Sequence, residues 1–419
     1  MKKNLIYTLC VAFFFASVIF IIFNYIQNKK RDAVVPLTLK ERKGEAAKSA
    51  EWDNTRKMAA YYTEVARKTP DNTKALLALA SIFIQESRVT GDYIYYDAAA
   101  MSCANQVIDR DSMNFEALTI KALIHLSQHH FSDGIAVAEK AQKINPYNAF
   151  VYGILVDGNV EMGNYSAAVE NSDKMVSIRP DLRSYSRISY LREIHGDNEG
   201  AIEAMKLAVE AGVAGDEPTE WARVHLGQLY ENINDLRSAE MCYRMSLEER
   251  PGYAFAFAGM SHIAKSNKDY AKAIQYLESA EKSMSTVSFK EDLVKIYRES
   301  GNEDKAANLA KKVINEMEMV AEKAAKDPNA GHYTDKELAM AYLEVKDYDN
   351  ALKHALLEYN RRPQNIDVNE TLAWVYYNRG EYQKALPYMQ VAMKTKSKSP
   401  VLISRAALVF KQTGTVFNP

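Results

Sequence analysis

Two hydrophobic patterns divide this chain. From Asn4 to Ile26 the sequence NLIYTLCVAFFFASVIFIIFNYI holds no charged residue. Beyond residue 70 the apolar positions instead recur at helical spacing, in paired segments that repeat about every 34 residues. The first pattern predicts one continuous apolar helix. The second predicts a series of helical hairpins, none of which can bury its apolar face alone, so that neighbouring units share one continuous core.

Glu220 to Pro251, EWARVHLGQLYENINDLRSAEMCYRMSLEERP, shows the unit best. It puts Leu226, Gly227 and Tyr230 on one helix, Ala239 and Tyr243 on a second, and Pro251 behind it. Units at 149–180 (Gly163-Asn164-Tyr165, Ala168, Pro180), 332–363 (Ala339, Tyr342, Ala351, Pro363) and 366–397 (Ala373, Tyr376, Gly380-Glu381-Tyr382, Ala385) keep the same register. Weaker copies start near Thr73, Phe115, Leu182, Ala254 and Val287. The small residues let paired helices approach, the aromatics fill the space between units, Gly accepts the positive φ of the inner turn, and Pro ends the second helix. This pattern resembles the tetratricopeptide (TPR) repeat, with its W-x-x-L-G-x-x-Y, A-x-x-x-F/Y and P positions. The resemblance implies an all-α, right-handed superhelical solenoid of about nine helix-turn-helix units over residues 73–398. Residues 32–72 then form a linker with a possible partial first repeat, and residues 399–419 a capping helix and tail. Two irregularities stand out. Gln85–Arg88 inserts before Gly91 and is expected to lengthen that turn, and the second helix of the 287 unit runs on to Lys326, where the solenoid is expected to bend.

Residues 1–31 read as an N-terminal anchor. The 23 residues 4–26 would rise about 34 Å as a helix, enough for a hydrocarbon core about 30 Å thick. Tyr7 and Tyr25 lie near its ends, where the headgroups favour aromatic rings. A cleaved signal peptide and a lipid-modified Cys10 are the alternatives, but no small-x-small cleavage site follows the run and Tyr7-Thr8-Leu9 is a poor lipidation context. Lys29, Lys30, Arg31, Lys40, Arg42 and Lys43 follow the span and by charge count keep the body cytoplasmic, whereas the short Lys2-Lys3 start is that of an export signal.

Composition then sharpens this division. The whole chain is nearly neutral, with 53 basic against 54 acidic residues. Five of the bases and no acid lie in residues 1–31, so the body carries 48 against 54, a net of −6. An acidic body argues against nucleic acid and phospholipid surfaces as partners. Only 28 of 419 residues are Gly or Pro, which fits helices broken at regular points.

Catalytic and cofactor motifs are missing. There is no Gly-rich phosphate loop, no His-Glu-x-x-His and no Gly-x-Ser-x-Gly, so no enzyme activity, cofactor, metal or small-molecule substrate is expected. His125 occupies a packing position and His129-His130 fall at a turn; Cys103 and Cys242 read as buried structural thiols. TPR solenoids act through the groove lined by their first helices, and the register places Phe150, Arg183, Arg187, Tyr190, Trp221, Phe255, Tyr333, Glu370, Trp374 and Tyr377 there as candidate contacts for a protein or peptide partner. The resemblance to the chaperone-binding subclass puts Arg183 and Arg187 at the two cationic positions of a carboxylate clamp. Leu123 and Asp157 stand where that clamp needs Asn, so it is incomplete. The layout also resembles membrane-anchored TPR proteins of lipopolysaccharide assembly, without their terminal Cys-x-x-Cys pair. Arg183–Met205 and Gln364–Leu386 resemble segments of bacterial exported or envelope-associated TPR proteins. That resemblance implies an extracytoplasmic body acting as a membrane-tethered scaffold or adaptor. The alternative is a peptide-sensing regulatory subunit of an envelope enzyme or assembly complex.

Overall fold

The computed structural model describes residues 13–25, 38–284, 286–326 and 331–417, and within them every regular element is helical. Residues 13–25 form a helix whose large side chains, such as Phe13, Ile19 and Phe20, are exposed. No helix among the described residues is long and apolar enough to cross a membrane. Residues 4–12 and 26, the rest of the expected span, lie outside the described residues.

Nine hairpins follow, their first helices starting at Thr73, Phe115, Ala149, Leu182, Glu217, Ala254, Val287, Asp335 and Ile366. Helix Pro400–Thr413 covers the last of them, and its Leu402, Ala406 and Val409 extend the terminal core cluster. The segment read as a partial repeat is a short 3-10 turn, Gly44–Lys48, and a single helix, Ala50–Lys68. The Gln85–Arg88 insertion lengthens helix Thr73–Thr90 to 18 residues and leaves the turn short. Its Glu86 is fully buried and holds Arg42 through two hydrogen bonds of 2.5 and 2.9 Å, so those residues buy a mooring for the N-terminal segment. Helix Glu303–Lys326 is the long second helix expected, at 24 residues.

Each hairpin turns through one left-handed residue. In five turns it is Gly91, Gly163, Gly196, Gly301 or Gly380; in the others it is His129, Asn234, Lys268 or Lys346, with φ between 59° and 62°. An L side chain there crowds its own carbonyl, at a cost of roughly 1–2 kcal/mol, part of which glycine's larger unfolded-state entropy offsets. Replacing exposed Lys268 with Gly is therefore expected to stabilise the protein by about 0.5–1 kcal/mol, read as a raised urea midpoint at unchanged m-value. An unchanged midpoint would show that the turn relaxes its strain elsewhere.

The solenoid closes on itself. Residues about 200 apart in sequence meet where one superhelical turn lands on the next. Tyr333 N donates to Gln128 O at 3.2 Å, and His129 Nδ1 lies 2.9 Å from Tyr333 O. Buried Arg362 reaches the Glu161 carboxylate and stacks over Phe131. Asn365 Nδ2 donates to Glu161 O at 3.0 Å, and Ile366 N donates to Tyr165 Oη at 2.9 Å. Gly163 sits so close to the opposite turn that a Cβ would come within 2.3 Å of the Gln364 backbone. Near the other end Glu51 bridges Arg42 at 2.8 Å and Arg250 at 2.9 Å, tying the N-terminal helix to the sixth hairpin's approach.

Candidate functional site: the superhelical lumen

The first helices carry the polar side chains that bridge from one unit to the next along the inner face. Arg187 forks onto Asp157 with Nε–Oδ1 2.8 Å and Nη2–Oδ2 2.5 Å, and adds a bond to Gly153 O. His262 lies 3.4 Å from both Glu231 and Asp292, spanning three successive first helices. The superhelix narrows this inner face into a lumen with two cavities.

The larger, about 860 Å³, is lined by Phe115, Leu123, Phe150, Arg183, Arg187 and, from outside the repeats, Glu51. Arg183 lies over the Phe150 ring at 5.1 Å and makes no ion pair with the described residues. Desolvation at the cavity wall and the adjacent Arg187 push its guanidinium below the usual arginine range, against the pull of Asp181, while its side chain stays open to solvent. Arg187, by contrast, is committed to Asp157, so the two arginines do not act as a pair. The second cavity, about 730 Å³, is more apolar, with Leu126, Val287, Met317 and Met340 around His332 and Glu291. Burial raises the Glu291 carboxyl to about 7 and lowers the His332 imidazole to about 3.

The other expected groove residues separate into three groups. Tyr190 lies half-exposed on its first helix, and burial together with Asp367, Glu161 and Glu193 raises its phenol well above the usual range. Trp374 stacks on Tyr377 at 4.9 Å with planes 7° apart, while Arg405 covers Trp374 at 5.0 Å and holds Glu370 at 3.0 Å. These form a second polar-aromatic patch near the C-terminal end. Trp221 lies against His225 of its own helix at 3.9 Å and packs on the apolar cluster that includes Ala201 and Met205 of the preceding unit, and Phe255 packs against Phe289 of the next unit at 5.7 Å. Tyr333 precedes its helix, under Arg361 at 4.0 Å, and belongs to the contact between superhelical turns. The polar density of Gln364–Leu386 has the same origin: Asn365 caps its helix and bonds across the seam, and Asn369 satisfies Pro363 O. Glu51, Gln85, Arg88 and Glu217 line the larger cavity without having been named as groove contacts from the sequence, and Arg88 pairs with Glu217 at 3.0 Å. Glu51 belongs to a segment with no repeat register, so nothing local marked it.

His262 gives the lumen a measurable titration. Burial alone would lower its pKa, but hydrogen bonds and charge from Asp292 and Glu231 prevail and raise it to about 9. Because the folded value exceeds the unfolded one of about 6.5, the charged ring stabilises the fold fully below pH about 6.5, and that contribution is lost as pH rises through about 9. NMR titration of the ring is expected to show this raised midpoint in the native protein and a lower one in Glu231→Gln. A midpoint near 6.5 in both would remove the two-carboxylate account.

Stacked antiparallel helix hairpins wound into a superhelix with a lined lumen define an α-solenoid. A family model for the tetratricopeptide repeat matches residues 370–398, within the last hairpin. Comparison with curated proteins gives no match. Among solved structures it is similar to the human IFIT1 dimer with PPP-AAAA, at TM-score 0.50 and 13% identity over 83% of this chain and 80% of that one. It is also similar to the APC/C hetero-tetramer Cut9–Hcn1, at TM-score 0.47 and 12% identity, covering 91% of this chain but only 62% of that one. Pseudomonas aeruginosa pilF matches at TM-score 0.39 and 15% identity, over 49% of this chain and 93% of its own. At such identities these likenesses describe the fold alone.

Proposed function

We propose that this protein is a non-catalytic interaction scaffold, tethered to a membrane through residues 4–26, that takes an extended carboxylate-bearing segment of a partner protein into its lumen. The observation that carries the reading is Arg183, a cation with no ion pair among the described residues, held over the Phe150 ring at the wall of a cavity of about 860 Å³. A partner carboxylate would supply the missing counter-charge through a charge-assisted bond, and the neighbouring rings would hold apolar side chains. Trp374 and Tyr377 offer a further aromatic contact along the same partner. Nucleic acid fits this reading less well, given the body's net charge of −6.

A photo-crosslinking residue at position 150 tests it, with one at outward-facing, exposed Lys206 as control. Discrete protein adducts are expected from the lumen position only, and are expected to weaken in Arg183→Glu and in Trp374→Ala with Tyr377→Ala. Equal labelling at both positions, insensitive to Arg183→Glu, would sink the reading. A reporter fusion scoring exported against cytoplasmic activity tests the expected extracytoplasmic side. The regulatory alternative draws on the seam between turns, since a segment entering the lumen would press on a contact that joins residues 200 apart.

A further inference from the structure

The turn of the second hairpin gathers chemistry that the lumen reading leaves unused. His125 lies in the last turn of helix Phe115–Ser127, His130 precedes helix Phe131–Ile144, and Asp133 lies in that helix's first turn. His130 N donates to His125 O at 2.8 Å, and the left-handed His129 between them folds the two rings to 6.0 Å with planes 24° apart. One ligand atom from each of His125, His130 and Asp133 lies within 4.8 Å of the other two. His125 Nδ1 and His130 Nε2 are both buried and have no hydrogen-bond partner among the described residues, and His130 is only 6% exposed. Two orphaned ring nitrogens in one place are costly in a native core and ask for an electrophile.

We infer that His125, His130 and Asp133 form a binding site for a divalent transition-metal ion, with Zn²⁺ the best-matched occupant. Two imidazoles and one carboxylate are a borderline-soft donor set, which suits zinc and its neighbours and not magnesium or calcium. Metal–ligand bonds near 2.0–2.2 Å place tetrahedral donors roughly 3.4 Å apart. The present spacing closes to that by small rotations, most easily of the exposed Asp133 carboxylate. A water completes the fourth position. The site also has a structural consequence, because the His130 ring packs on Tyr333 at 4.3 Å and neighbouring His129 bonds Tyr333 O. An ion that fixes His130 therefore stiffens the seam between superhelical turns.

The full chain, purified in detergent and stripped with chelator, tests the site with Zn²⁺ alone by calorimetry and with Co²⁺ alone by visible absorption. One saturable Zn²⁺ equivalent and a four-coordinate Co²⁺ band are expected. Asp133→Asn, which changes an exposed side chain and leaves the fold intact, is expected to weaken Zn²⁺ about tenfold or more, and His125→Gln with His130→Gln to abolish it. Zn²⁺ is expected to slow amide exchange at Tyr333 in the native chain and not in Asp133→Asn. Absence of a saturable equivalent overturns the proposal. So does binding that persists unchanged in Asp133→Asn and in the double histidine variant, since the ion would then belong to other histidines.

Discussion

Arg362→Ala is expected to cost about 3 kcal/mol and to open the superhelix. Arg362 is 4% exposed and binds Glu358 from its own hairpin at 2.5 Å and Glu161 from the turn below. Breaking a buried ion pair from one side costs about 3–5 kcal/mol, mostly because the remaining charge stays in a desolvated place. The lower end applies because Arg361 remains to pair Glu358 at 2.7 Å. The loss falls on a contact between distant repeats, so shape should respond as well as stability. The radius of gyration by X-ray scattering is expected to rise, and amide exchange at His129 and Tyr333 to speed up. Arg362→Lys, which keeps the charge and loses the fork, should fall between the two. An unfolding midpoint that drops while the radius stays constant would mean that Gly163, Asn365 and Tyr165 hold the seam without the arginine.

Tyr243→Ala is expected to cost more, about 3–5 kcal/mol, as for an aromatic removed from a core that cannot collapse around the loss. Tyr243 is fully buried, and its hydroxyl donates to the Glu231 carboxylate. The ring lies between two glycines on successive first helices: a Cβ at Gly227 would come within 2.5 Å of it, and one at Gly259 within 2.4 Å. The same geometry predicts that Gly259→Val alone destabilises by overpacking, about 1–3 kcal/mol. Combined with Tyr243→Ala it should cost less than the sum, because the valine enters the space the ring vacates. Urea unfolding of both single variants and the double tests this. Strict additivity would mean that ring and glycine do not share the space.

This Gly–Tyr–Gly sandwich shows how far the sequence reaches. Gly227 and Tyr243 were legible as the small and aromatic positions of one unit, and Gly259 recurs one unit later. The starts at Thr73, Phe115, Leu182, Ala254 and Val287 agree with the first-helix starts for the same reason. Caps, left-handed turns and small-against-large contacts all act within one repeat length. The candidate site was less legible. Phe150, Arg183 and Arg187 were named from register and do share a cavity, but register could not say that Asp157 neutralises Arg187 and leaves Arg183 bare. Nor could it separate Trp221 and Phe255, which pack between units, from Tyr190, which stays half-exposed. Position within a helix gives a direction, while exposure depends on the size of the neighbouring unit's side chains.

The His125–His130–Asp133 cluster lies between these cases. Its three residues span only nine positions, yet the histidines read as packing and turn residues. Their convergence needs the left-handed turn at His129, and an exposed aspartate in a first helical turn looks like an ordinary response to the helix dipole. Local sequence determined the hairpins, their number and the division between an uncharged N-terminal run and an acidic repeat body. Tertiary structure alone decided that Glu161 meets Arg362, that Glu51 enters the lumen wall and that Tyr333 closes a seam instead of lining a groove. Each unit adds a small rotation to the last, so whether two turns touch depends on a sum over about six interfaces, and no single repeat contains that sum.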